Sequence, residues 1–312
     1  MIHLIHGRGF SEGLLTSALA CGLVLLVGMF TVRGRASVAG VPFVVACIVT
    51  FEGFGPFAEI ARVPTRVLIG LAALVAGGLA VRLAALPFGG AVLLFLPGGL
   101  VLGYGTGLAA PGWPAWVQPL VAIGTAVGGA LVADTDRARR HVSLGPILLA
   151  VAIAGVAATV PDTEHIAVLL GAAVPLLVWA FPMPVASLGP EGAAAATGLL
   201  LWVAAIDGRG RPGSIVGALG CLGLLLVEPI GRRLAPSLDP RRHVRPPHSA
   251  GEVLAMVALF VGLQLVLTGY ASRIAGFERT GRNAALLLVP AAIVAVVVAC
   301  GLPPPPRAVK RV

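Results

Sequence analysis

Apolar runs close to bilayer length follow one another along this chain, joined by short polar links, and that pattern leaves few ways to fold. Inside hydrocarbon every backbone N–H and C=O must be bonded within the protein, so such a chain is restricted to a bundle of spanning helices. With about 20 apolar residues needed per crossing, eleven stretches qualify: 13–32, 36–57, 67–86, 88–110, 116–133, 144–160, 166–181, 191–206, 214–230, 252–270 and 284–302. The reading is all-α, a polytopic transmembrane helix bundle of 10–11 spans forming a single integral membrane domain over residues 1–312. Composition agrees: 58% of residues are hydrophobic and only 11% charged, where soluble domains carry about 25% charged. The first run is longer than a signal-peptide core of about 7–15 residues and has Arg33 and Arg35 on its far side, so it is read as a retained helix.

The net charge of +9 does not point to nucleic acid, because the arginines sit in short runs between apolar stretches, where they set orientation. Alternating the loops places 14 of the 22 Lys and Arg residues on one side, which reads as cytoplasmic and holds the C-terminus. The source is read as bacterial and the location as the inner, or plasma, membrane. If 88–110 is re-entrant, ten spans remain and the N-terminus changes side. Arg232, Arg233, Arg241, Arg242 and Arg245 lie on or next to the longest basic loop, 231–251, and are expected to meet anionic lipid headgroups. A docking site for a soluble partner is the alternative use of that loop, and a membrane protein is a further candidate partner of the chain. All four cysteines fall inside apolar runs without a histidine ladder, so neither metal nor cofactor is expected.

Two runs carry Pro and Gly near mid-span: 93–107, LLFLPGGLVLGYGTG, and 220–231, GCLGLLLVEPIG. Backbone freed inside a membrane must be satisfied by protein or by a watered cavity, so a pair of breaks suggests a site near the midplane. Shifting the chain by about 133 residues brings Pro97 within one residue of Pro229, and Val41-Pro42 onto Val174-Pro175. An odd number of spans per unit would invert the second copy. The expectation is a five-plus-five inverted repeat, with halves 13–133 and 144–270 and an extra C-terminal helix at 284–302.

Ionisable groups inside spans are costly, roughly 2.5–3.5 kcal/mol at a helix centre, and so are candidate functional groups. Glu228 and Glu52 are the carboxylates best placed to carry a proton or cation. Glu228 also stands four residues before Arg232, which permits an interfacial ion pair, and Glu52 is near enough to a helix end to reach headgroups. Pro97, Gly98, Gly99 and Pro229 mark the two breaks. Gln264, at the centre of its span, can line a site or hydrogen-bond between helices. Arg82, near a span end, is read as snorkelling to the interface. Asp162, Glu164 and His165 form a small cluster after Pro161. They could serve as acid, base or ligand, but carboxylates following a proline also suit a first helical turn. Gly99 and Gly103, like Gly124 and Gly128, have the spacing of close helix packing.

The pattern 208–213, GRGRPG, joins two spans without a preceding strand and is no dinucleotide site. No P-loop, GxSxG or HExxH is present. The expected function is a secondary transporter or carrier of a lipid or small solute, built on broken helices and an intramembrane carboxylate. The alternatives are a membrane enzyme or accessory subunit of cell-envelope lipid or polysaccharide assembly, and a non-catalytic membrane subunit of a larger complex.

Overall fold

The computed structural model of the protein describes residues 10–20, 37–53, 63–105, 114–139, 142–181, 186–209, 211–238 and 250–275, with 108 and 293 standing alone. These residues form helices α1 (10–20), α2 (Gly40–Gly53), α3 (Thr65–Leu83), α4 (Phe88–Gly105), α5 (Val117–Arg139) and α6 (Leu144–Val156). They continue with α7 (Glu164–Ala180), α8 (Gly189–Asp207), α9 (Pro212–Cys221), α10 (Gly223–Leu238) and α11 (Ala250–Ala275). The only departure from helix pairing among them is a two-residue parallel bridge, with Ser37 opposite Ala186 and Val38 opposite Ser187.

Among the described residues five helices are long and apolar enough to cross a membrane: α3, α4, α5, α8 and α11. The pair α9 and α10 makes a sixth if its 55° bend is one interrupted span. Such a set is compatible with a multi-pass membrane protein. It is fewer than the eleven spans expected: α2, α6 and α7 are shorter apolar helices of 14, 13 and 17 residues, and of the expected first span, 13–32, residues 21–32 lie outside the described residues. The expected eleventh span, 284–302, lies outside the described residues.

The helices reverse direction one after another. Gly77 of α3 packs on Leu94 of α4 and Gly70 on Gly98; Gly99 and Gly103 of α4 then meet Ala122 and Gln118 of α5. Gly128 and Gly129 of α5 face Thr197 and Ala194 of α8. These glycines let the backbones approach closely, which explains both small-residue spacings. Reversal sorts the polar groups into two ends, one holding Arg82, Asp134, Glu191, Arg232 and Arg233, the other Asp162, His165, Asp207 and Arg209.

One of the two expected breaks is absent. Helix α4 runs unbroken through Pro97, whose ring is exposed on the outer side of the bundle. Proline removes one hydrogen bond but need not stop a helix when its ring meets no neighbour. The continuous α4 also passes alongside α3 over several turns and is long and apolar enough to cross a membrane. The second break is real but lies at Leu222, between α9 and α10; Pro229 is inside α10.

Helix α8 is the centre of the bundle. It is buried along nearly its whole length and packs against α2, α3 and α5. Its sequence, GPEGAAAATG, puts small residues where three helices converge. Pro190 in the first turn suits a helix start, since its missing N–H would have no intrahelical partner there. The start itself is capped from another helix: Asp136 of α5 accepts the Leu188 N–H at 3.2 Å and the Gly189 N–H at 3.0 Å. Asp136→Ala would leave both donors buried and should cost roughly 2 kcal/mol, with Asp136→Asn, which keeps one acceptor, losing less. Thermal unfolding of the purified variants measures this, and equal melting of all three proteins would refute the capping role.

The packing gives the expected inverted repeat no support. A two-fold relation matching α5 with α11 and α8 with α3 would require α11 to pack on α3 as α5 does on α8, and it makes no comparable contact.

Candidate functional site

The proposed midplane site does not assemble around the two prolines. Gly98 and Gly99 are packing residues: a Cβ on Gly98 would lie 2.8 Å from the Gly70 carbonyl oxygen, and one on Gly99 2.5 Å from that of Ala122. Pro229 is buried in a continuous helix. Glu52 is exposed near the end of α2 and joins neither polar end cluster.

Gln264 explains how the bend at Leu222 is tolerated. Its Oε1 accepts the Leu224 N–H at 2.9 Å and its Nε2 donates to the Cys221 carbonyl. The backbone groups freed by a 55° bend are thus satisfied by one amide from α11, with Gln264 fully buried. In an apolar interior an unbonded amide or carbonyl costs about 1–3 kcal/mol, so a two-headed side chain at this place is structurally apt. The interhelical reading of Gln264 accounts for it.

At the Arg232 end, Glu228 is fully buried and its Oε2 lies 3.5 Å from Arg232 Nε, the i,i+4 pair. The Thr135 hydroxyl stands 3.0 Å from the Leu225 carbonyl and 3.4 Å from Glu228 Oε2. Arg232 and Arg233 both reach Asp134 Oδ2 at 3.0 Å. Arg233 also lies over the Phe88 ring, 4.6 Å from its centroid. These contacts pin α10 to α5 and to the first residue of α4. Both arginines therefore have protein partners, and Arg241, Arg242 and Arg245 lie outside the described residues. At the same end Arg82 does more than snorkel: its guanidinium is half exposed, and Nη1 donates to the buried Glu191 Oε1 at 2.7 Å.

The opposite end holds the cluster read from residues 162–165, together with a residue that reading omitted. His165 Nδ1 is 2.6 Å from Oδ1 of Asp207, the last residue of α8. Both side chains are buried, and the Phe51 ring meets the imidazole edge-on at 5.4 Å between centroids. Asp162 is half-buried; its backbone N–H donates to the Asp207 carbonyl at 3.3 Å, and its Oδ1 accepts the Glu164 N–H at 3.4 Å. The cap reading of Asp162 is partly realised in that bond, while Glu164 is exposed. Arg209 approaches Asp162 only at 4.0 Å and is largely solvent-facing.

His165 precedes the apolar run of α7. Burial pushes its imidazole down, but the hydrogen bond and charge of Asp207, with the charges of Asp162 and Glu164, outweigh burial and hold it above its ordinary value. On the adjoining helix, the Ser214 hydroxyl donates to the Thr159 carbonyl at 2.9 Å. Among the described residues no group of three or more His, Cys, Asp or Glu side chains is placed to hold a metal ion. No known protein family matches the chain, and no curated protein resembles it closely enough to establish kinship.

Proposed function

We propose that this protein is a multi-pass carrier in a bacterial plasma membrane, moving a small ion, amphiphile or lipid, with its Arg232 end facing the cytoplasm. One observation carries the reading. The central helix α8 ends in a buried carboxylate at each end, and each carboxylate is paired with a cation on a different neighbour: Glu191 with Arg82 of α3, and Asp207 with His165 of α7.

Two ion pairs at opposite ends of one buried helix suit alternating access. Opening one end while the other stays paired exposes the middle of the bundle to one side at a time. Both pairs are formed in the structure, and in this reading an arrangement with both ends paired is the occluded one. The scarcity of polar side chains along α8 favours ions, amphiphiles or lipids over a large hydrophilic cargo, which would need more hydrogen-bonding partners. Glu228, bound up with Arg232 and Thr135, belongs in this reading to the closure of the cytoplasmic end.

The test is flux through liposomes holding the purified full chain. Pyranine-loaded vesicles report proton movement under an imposed potential, concentration jumps of sodium, potassium and chloride report ions, and a fluorescent phospholipid reports lipid transfer. The expected result is transfer of at least one probe above the rate of empty vesicles, reduced tenfold or more by Glu191→Gln. A rate equal to that of empty vesicles for every probe would sink the carrier reading for these cargo classes.

A further inference from the structure

We propose that His165 and Asp207 form a proton-binding site, and that the bound proton keeps the adjoining ends of α7 and α8 joined. The inference rests on the carrier reading only for its role in transport; the site itself follows from geometry. The 2.6 Å separation is short for a nitrogen and an oxygen and fits a charge-assisted bond between imidazolium and carboxylate. Asp207 is 2% exposed, and its second oxygen, Oδ2, is buried without a hydrogen-bond partner. Among the described residues its only ion-pair partner is His165.

The surroundings decide what the proton does. On α7 and the segment before it, Asp162 and Glu164 add negative charge; on α2, Phe51 supplies an apolar wall; on α9, Ser214 is tied to Thr159. Arg209, after α8, is turned to solvent and reaches only Asp162. Among the described residues the positive charge facing the buried Asp207 carboxylate is therefore the imidazolium's, with the Ile166 N–H as a neutral donor beside it. Nδ1–H stays on Asp207 Oδ1, so the proton that titrates is the one on Nε2. Once Nε2 has given up its proton, the carboxylate is buried beside a neutral ring, and a buried charge without a countercharge draws in water or separates from its neighbour.

The sign of the pH dependence follows from the raised affinity of His165 for its proton. A group held above its ordinary value contributes its full stabilisation below that value, about 6.5 for histidine, and loses it as pH rises through the folded value. The ends of α7 and α8 are thus joined below the ordinary histidine value and part as pH rises through the higher folded value. In the carrier reading this makes the proton the coupling ion and couples its release to opening of the end opposite Arg232.

The experiment uses the full chain in lipid nanodiscs. Amide hydrogen exchange is followed over peptides covering 159–168 and 204–214 at pH 6 and pH 9, corrected for the intrinsic pH dependence of exchange. NMR of protein labelled with 15N in histidine follows the imidazoles over the same range, with the His165 signal identified by its loss in His165→Gln. In the wild type, protection of these peptides should fall at least fivefold at the higher pH, and His165 should lose its proton at a higher pH than an ordinary histidine does. His165→Gln, which keeps a donor for Asp207 but does not titrate, should abolish the pH-dependent change. If that variant does not fold, Asp207→Asn is read instead, and the histidine should then lose its proton at lower pH. Protection that is independent of pH in the wild type, an unchanged profile in the variant that folds, or a neutral His165 at pH 6 would each overturn the proposal. None of these readouts involves flux, so the site can fail while the carrier reading stands, and the reverse.

Discussion

Gly192→Val will leave almost no folded protein. A Cβ at position 192 would stand 2.4 Å from the Gly40 Cα and 2.6 Å from its carbonyl carbon, and a Cβ on Gly40 would meet the Leu188 carbonyl oxygen at 2.4 Å. On its other side α8 is pressed as closely, since a Cβ on Gly78 of α3 would lie 2.2 Å from the Glu191 Cα. The obstructing atoms are backbone on both flanks, so no side chain can swing aside. Overpacking against side chains typically costs about 1–3 kcal/mol; here whole helices must separate, and the loss should exceed about 4 kcal/mol, a large part of the roughly 5–15 kcal/mol that holds a domain folded. Size-exclusion profiles of a fluorescent fusion should show the monodisperse peak lost for Gly192→Val and kept for a valine at exposed Gly262, where a Cβ meets nothing within 4 Å. A wild-type profile for Gly192→Val would mean that α8 does not cross α2 at this point.

The second large effect is expected at the bend. Gln264→Met keeps the volume and flexibility of the side chain and removes both of its hydrogen bonds, leaving the Cys221 carbonyl and the Leu224 N–H buried and unbonded. Two such groups cost about 2–5 kcal/mol together. The chain can recover part of that by straightening, since a helix continuous through Leu222 would bond these groups internally. The variant should therefore melt lower than wild type and also change the angle between α9 and α10, measurable as a distance between spin labels on the two helices. Unchanged melting would show that water or another group satisfies the bend. A lower melting point with an unchanged angle would show that α10 is held by its Arg232 and Arg233 contacts, and not by Gln264.

Most of the helical framework was legible because hydrophobic runs announce themselves locally. The expected spans 67–86 and 191–206 correspond to α3 at Thr65–Leu83 and α8 at Gly189–Asp207, displaced by no more than three residues at an end. Local pairings were legible too: Glu228 and Arg232 are four apart, and the ion pair is there. The breaks were harder. Pro97 and Pro229 look alike in sequence, but a proline interrupts a helix only when its surroundings give the freed groups somewhere to go. Neither helix stops at its proline; the chain bends at Leu222, between Gly220 and Gly223, inside the second run but seven residues before its proline. Partners across the bundle were not legible at all. Asp207 stands 42 residues from His165, and Glu191 is 109 from Arg82. Both carboxylates sit at the ends of an apolar run and read as ordinary boundary residues. What singles them out is burial beside a neighbouring helix, and that depends on packing that no window of sequence contains.

The placement of α8 has a consequence for how the protein is made. A segment rich in Ala and Gly, carrying Glu191 and Asp207 at its ends, enters a membrane less readily than a leucine-rich one and gains its stability from neighbours. Those neighbours, α2, α3 and α5, are all synthesised before it. The nascent chain can therefore assemble a slot lined by Gly40, Gly78 and Gly129 before its occupant leaves the ribosome. A chain cut short before residue 189 would display that slot empty, with Arg82 and Asp136 facing it unmatched by the Glu191 carboxylate and the Leu188 and Gly189 amides. Membrane proteases that survey unfinished bundles would meet the Arg82 guanidinium there without the carboxylate that pairs with it in the completed protein.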